Sequence, residues 1–200
     1  MGFPLDNFPL KSPGADGNNG QDRFQALPVA TAMGVMVTIV IILTKGRQFM
    51  ALYLVQHGKS RPKQEDPDQG LSDQGRADTE RIAQVAKGYQ VSVAMIQHSG
   101  KARARGTAEI FAGFLAPELG VVQVDGIKPM DDVERFAGSV DPAENTMVVG
   151  HMPFMEKLVG LLVAGSPDNR VFRFQNSGIV CLDKDETGWF ISWTLMPNIG

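Results

Sequence analysis

The sequence predicts a three-layer α/β/α sandwich, with helices on both faces of a mostly parallel sheet. Two observations carry that prediction. Apolar runs short enough for buried strands alternate with stretches whose apolar residues recur at helical spacing, the order that yields parallel sheets. Three of those runs also lead straight into a histidine: Leu52 to Val55 before Gln56-His57-Gly58, Val93 to Ile96 before Gln97-His98-Ser99, and Met147 to Val149 before Gly150-His151. In open α/β sheets ligands bind outside the carboxyl ends of the strands, so the three histidines are expected to converge on one site. One histidine in such a place would most simply cap its strand; three together point to chemistry.

Composition narrows the classes. The 200 residues suffice for one domain with an appendage, and a hydrophobic fraction of 43% is enough for a full core. A net charge of -3 argues against nucleic acid as a partner, since such binders present a basic face. The single Cys181 lies in the apolar run Gly178-Ile179-Val180-Cys181-Leu182. It excludes an intrachain disulfide, and no cysteine cluster offers a zinc site.

Residues 1–49 stand apart from the rest. The first 25 are rich in glycine, proline, asparagine and aspartate and read as disordered. From Ala26 to Thr44 no residue is charged, which makes 26–44 a candidate transmembrane helix. Lys45 and Arg47 follow at once, so the positive-inside tendency would leave the rest of the chain as a cytoplasmic domain anchored to the inner face of a membrane, against the weaker vote of Lys11 and Arg23. A second reading is equally open: Met50 stands two residues before the first apolar run, and residues 1–49 would then be an over-extended start.

From residue 50 onward the elements follow in order. After the first strand, Lys59 to Gly70 is a polar loop over the site. Ser72 is the expected N-cap of a helix with Asp73 in its first turn, and Ile82, Val85, Ala86 and Tyr89 keep helical spacing. The second strand leads into Ser99-Gly100-Lys101-Ala102-Arg103, ahead of an amphipathic helix marked by Thr107, Ile110, Phe111, Phe114 and Leu115. Ser99 to Arg103 therefore stand at a helix N-terminus, whose backbone N–H groups favour anions. Val121 to Val124 reads as an edge strand and Asp131 to Ala137 as a short helix. Pro153 suits the first turn of a helix carrying Phe154, Leu158, Leu161 and Leu162. Val171 to Phe174, Ile179 to Leu182 and Trp189 to Leu195 read as closing strands.

Two familiar chemistries fail on spacing. Gly58-Lys59-Ser60 would end a phosphate-binding P-loop only if position 53 were glycine, and it is Tyr53. No histidine sits at the helical spacing of a zinc protease or beside an acidic residue, so no metal site is expected. What remains is strand-end histidines with Arg103 nearby. A neutral imidazole is a good nucleophile toward phosphorus, and a bidentate guanidinium suits the charge on the transferring oxygens. Protonated His151 would add a second cation. Arg103 alone, without the histidines, would read as a solvated helix charge.

Leu54-Val55-Gln56-His57-Gly58, Leu71-Ser72-x-x-Gly75, Ser99-x-x-x-Arg103-Ala104-x-x-Thr107 and Val149-Gly150-His151-x-Pro153 resemble, in order, the motifs of the histidine phosphatase superfamily, the phosphoglycerate-mutase-like fold. The short bacterial phosphohistidine phosphatases, which lack large insertions, are the most similar branch. The resemblance covers Met50 to about Leu195. It implies that His57 is the phosphorylated nucleophile, that Arg103 and His151 bind the phosphoryl oxygens beside Gly58 and Ser99, and that no cofactor or metal is needed. It also implies a phosphorylated protein or a small phosphate as substrate.

The chain departs from the pattern at Gln56, where the family usually has arginine. Gln56 can donate an amide N–H but brings no charge, which leaves the pocket one cation short. Arg61, Lys59 or Lys101 are the candidates to compensate. Gly100 and Gly106 replace a proline and a glutamine and are expected to alter loop shape only. A proton for the leaving group would have to come from Asp131, Asp132 or Glu134, unless these merely start a solvated helix. Met152 occupies the place where the acid-phosphatase branch has its aspartate. A weak or absent acid suits phosphohistidine, whose P–N bond breaks easily. The expected activity is therefore a protein phosphohistidine phosphatase, with two rivals: a small-molecule phosphomonoesterase of the same fold, and a phosphate- or phosphoprotein-binding module in which Gln56 has removed turnover.

Overall fold

The computed structural model describes residues 51–198, and the candidate membrane span 26–44 and the rest of the segment 1–49 lie outside them. Among the described residues no helix is long and apolar enough to cross a membrane. The elements run β1 (Ala51–Gln56), α1 (Asp73–Gly88), β2 (Met95–His98), α2 (Ala102–Leu115), β3 (Val121–Gln123), α3 (Val133–Ala137), a 3-10 turn (Pro142–Glu144), β4 (Thr146–Gly150), α4 (Phe154–Ala164), β5 (Ile179–Asp185) and β6 (Gly188–Leu195). The six strands form one sheet in the order β3-β2-β4-β1-β5-β6. β3, β2, β4 and β1 are parallel, while β5 runs antiparallel to β1 and β6 antiparallel to β5. The mostly parallel sheet and its two covering layers are those the sequence predicts.

Alternation along the central strands separates two cores. Tyr53, Val55, Met147 and Val149 face α1 and α2, against Ile82, Ala83, Ala86, Ala104, Ala108 and Phe111. Leu52, Leu54 and Val148 face α3 and α4, against Val133, Phe154, Met155, Leu158 and Val159. β4 is buried over its whole length because it is covered on both faces and paired on both edges. Each such aliphatic residue contributes about 1.5–3 kcal/mol by leaving water, which is what fixes the strand ends that carry the site.

The order of the strands creates the crevice. β1 is followed by α1 on one face of the sheet, whereas its parallel neighbour β4 is followed by α4 on the other face. Connections leaving two adjacent strand ends toward opposite faces open a gap between them, the place where α/β sheets bind ligands. Local signals set the helix starts. The Ser72 hydroxyl accepts the Gly75 N–H at 3.1 Å, and Asp132 caps α3 by accepting the N–H groups of Glu134 and Arg135.

One expected strand is absent. Val171 to Phe174 has no regular pairing. Phe172 and Phe174 instead pack edge to face, with centroids 5.3 Å apart, against the α4 side of the core. The segment pairs with none of the six strands, the open edges of β3 and β6 included, so its alternating pattern reports a buried face without a ladder.

Candidate active site

Because β1 and β4 are parallel neighbours with Gln56 opposite Gly150, the residues that follow them emerge side by side. The His57 N–H still donates to the Gly150 carbonyl at 3.1 Å. The imidazoles of His57 and His151 stand 4.8 Å apart between centroids, tilted by 55°.

The protonation of His57 follows from its partners. Its Nδ1 lies 2.8 Å from the Gly58 carbonyl, which can only accept, so Nδ1 carries the proton and Nε2 keeps its lone pair. Arg103 Nε donates to that lone pair at 3.1 Å, and Arg103 Nη1 reaches Gln69 Oε1 at 3.5 Å. Burial first, then the charges of Arg103 and Lys101, push His57 down to about 4, against the lifting effect of the Gly58 hydrogen bond. His151 is 1% exposed, and its Nε2 lies 2.6 Å from the Ser99 hydroxyl. Burial, then His57, Arg103 and Lys101, push it down to about 3, so both rings are neutral at pH 7. His151 Nδ1 is buried with no partner among the described residues.

The loop that presents His57 is clamped from three sides. A Cβ on Gly58 would meet Thr79 Oγ1 at 2.8 Å and Leu71 Cδ2 at 2.9 Å, so only glycine lets the chain pass beneath α1. The Gly58 N–H donates to Thr107 Oγ1 at 2.9 Å, and Thr107 donates in turn to the Arg103 carbonyl at 2.8 Å. On the other side Asn176 Nδ2 donates to the His57 carbonyl at 2.7 Å, and the Ser177 N–H donates to the Gln56 carbonyl at 2.8 Å. Thr79 gives its proton to the Gly75 carbonyl, so the Ser177 hydroxyl 2.8 Å away donates to Thr79.

The structure thus brings together His57, Gly58, Ser99, Arg103 and His151, with half-buried Gln56 the last residue of β1, in register with Gly150. It does not bring Arg61, Asp131, Asp132 or Glu134 to the imidazoles. Arg61 is exposed and pairs with Asp73 at 3.3 Å. Asp131 accepts the Lys128 N–H at 2.8 Å and Asp132 caps α3, so both carboxylates are held to local backbone on the surface, and Glu134 is exposed beside them.

His98 corrects the expectation that all three histidines converge. It is the last paired residue of β2, opposite Gln123 and Val149, so it sits one two-residue repeat before the level of His151, still within the sheet on the side covered by α2 and below the crevice. There its Nδ1 accepts the Gly100 N–H at 3.1 Å. Gly100 has φ +82°, a conformation closed to the proline of the family pattern, which could not donate this bond either. Gln69, Thr79, Asn176 and Ser177 were not foreseen as site residues; the Asn176-Ser177-Gly178 cluster before β5 signalled only a turn.

Residues 52–132 match the family model of the histidine phosphatase superfamily (branch 1). Three solved structures share the fold. One, named as the phosphohistidine phosphatase SixA of Agrobacterium tumefaciens, is 26% identical, with a TM-score of 0.59 over 74% of this chain and 97% of that one. A protein histidine phosphatase SixA complexed with tungstate is 21% identical, with a TM-score of 0.64 over 74% of this chain and 97% of that one. An Escherichia coli protein named as an alpha-ribazole-5'-P phosphatase is 17% identical, with a TM-score of 0.60 over 76% and 99%. No curated protein matches the chain. Family model, motif order and fold together align this chain with the histidine phosphatase superfamily.

Proposed function

We propose that the chain is a metal-independent phosphatase that acts through phospho-His57, with protein phosphohistidine as its substrate. One observation carries the reading: His57 is held as a neutral imidazole with its Nε2 lone pair directed at a guanidinium, beside a second buried histidine. Arg103 Nε donates to that lone pair. A phosphoryl group entering between them would draw the guanidinium onto its own oxygens and free Nε2 to attack phosphorus. The new P–N bond forms as the bond to the leaving group breaks, and the leaving atom keeps the electron pair. Water then attacks phospho-His57, orthophosphate departs, and Nε2 regains its lone pair.

The placement of the carboxylates supports phosphohistidine over alkyl esters. Asp131, Asp132 and Glu134 are on the surface, and the first two are engaged with backbone, leaving the crevice without a carboxylic acid from that stretch. An alkoxide needs such an acid. A phosphohistidine ring that carries a proton on its far nitrogen leaves as neutral imidazole, whose conjugate acid has a pKa of about 6.5, and needs no acid at the leaving atom. The solved structures named as phosphohistidine phosphatases are consistent with that choice.

The test is phosphate release by the full chain, in chelator, from a phosphohistidine peptide and from an aryl phosphate. His57→Ala is expected to abolish both, because no other group has a lone pair in place, and the parent should prefer the peptide. Preference for the aryl phosphate would shift the assignment to a small-molecule phosphomonoesterase. No turnover with retained oxyanion binding would leave a binding module, with Gln56 as the cause.

A further inference from the structure

We propose that Lys101 binds the phosphoryl group as the second fixed cation of this site. The proposal rests on reading the crevice as a phosphoryl site and deepens it. A phosphoryl dianion brings two negative charges into a place where both imidazoles are neutral and Gln56 contributes none. Arg103 balances one of them. The other needs a cation that is near both rings and not already neutralised.

Lys101 meets both conditions. It is bracketed by Ser99, whose hydroxyl touches His151, and Arg103, whose Nε touches His57, so the chain holds it between the two contacts that define the crevice. It stands at the N-cap of α2, where its side chain has no capping task and the helix end itself favours an anion. It is exposed, and among the described residues it forms no ion pair. The rival Arg61 is drawn to Asp73. Lys101 and Arg103 are also the two cations whose charge depresses both histidines.

The experiment measures tungstate and orthophosphate binding to the full chain by calorimetry at low ionic strength, where a rim charge has its full effect. Lys101→Gln should weaken tungstate binding about tenfold, and Lys101→Arg should restore most of it. In a Gln56→Arg background, which restores the cation that the family pattern has before the nucleophile, Lys101→Gln should cost much less. Unchanged binding in Lys101→Gln overturns the proposal. So does a tenfold loss in Arg61→Gln instead, or an equal loss from Lys101→Gln in both backgrounds. If the parent binds no tungstate, this proposal and the phosphoryl-site reading fall together. Binding without hydrolysis of phosphohistidine removes only the assigned activity and leaves Lys101 standing.

Discussion

Thr107 shows how one hydroxyl joins the two halves of the site. It is fully buried, accepts the Gly58 N–H and donates to the Arg103 carbonyl, so the loop that carries the nucleophile and the helix that carries the arginine share a single atom. Thr107→Val keeps the shape and strands the Gly58 N–H, while the Arg103 carbonyl keeps its partner within α2. The expected cost is about 1–3 kcal/mol of stability, with a fall in kcat larger than any change in KM, read from urea unfolding and steady-state hydrolysis. An unchanged kcat would mean that His57 and Arg103 keep their register without this bridge. At this scale the sequence was legible where a motif residue also carries the chemistry, as with His57, Arg103 and His151. It was not legible for His98. His98 lies opposite Val149, two residues short of the level of His151, and no pattern in the sequence sets the register of β2 against β4 that finely. Asn176 and Ser177 escaped for another reason, since their contribution is a hydrogen bond to backbone more than a hundred residues away.

Among the elements, α1 is the one whose fit against the nucleophile loop leaves no slack. The Ser72 N–H and hydroxyl both donate to the Lys59 carbonyl, at 2.9 and 3.0 Å, and a Cβ on Gly75 would lie 2.7 Å from the Lys59 nitrogen and closer still to its carbonyl oxygen. Gly75→Ala must push the helix and the Gly58-Lys59 turn apart. We expect a loss of about 1–3 kcal/mol and a drop in activity, because the Gly58 carbonyl that holds the His57 proton moves with the turn. Gly113 in α2 is the contrast. Open space surrounds its Cβ position, so Gly113→Ala should stabilise the chain by about 0.5–1 kcal/mol and leave turnover alone. Thermal or urea denaturation of the pair distinguishes a packing requirement from simple helix propensity. The motif Leu71-Ser72-x-x-Gly75 was readable as a helix start, yet its demand for glycine came only with the approach of Lys59. Val171 to Phe174 differs from expectation for a related reason: periodicity shows which side of a segment is buried but not whether its backbone pairs with a strand.

For the molecule as a whole, the sheet order places two neutral histidines where an anion is to bind, and that arrangement has a consequence for stability. Ordinary histidine titrates near 6.5, while His57 and His151 are pushed down to about 4 and about 3 in the folded chain. His98 is lowered as well, by burial first and then by Arg105. Between pH 6.5 and 4 the unfolded chain therefore takes up protons that the native state refuses. Stability is fully present above 6.5, falls as the pH drops through that window, and levels off only once the folded rings themselves accept protons. Asp185, the one carboxyl among the described residues with a resolved shift, is lowered from 3.8 by its Thr187 hydrogen bonds. Its effect begins below 3.8 and does not mask the histidine window. Urea midpoints measured from pH 8 to 4 should decline in the parent and decline less steeply in His57→Ala, which removes one of the protons taken up on unfolding. A flat parent profile would show that these imidazoles keep their ordinary affinity for protons. The rings would then be free to carry positive charge at mildly acidic pH, and the need for a second fixed cation beside Arg103 would lose its footing.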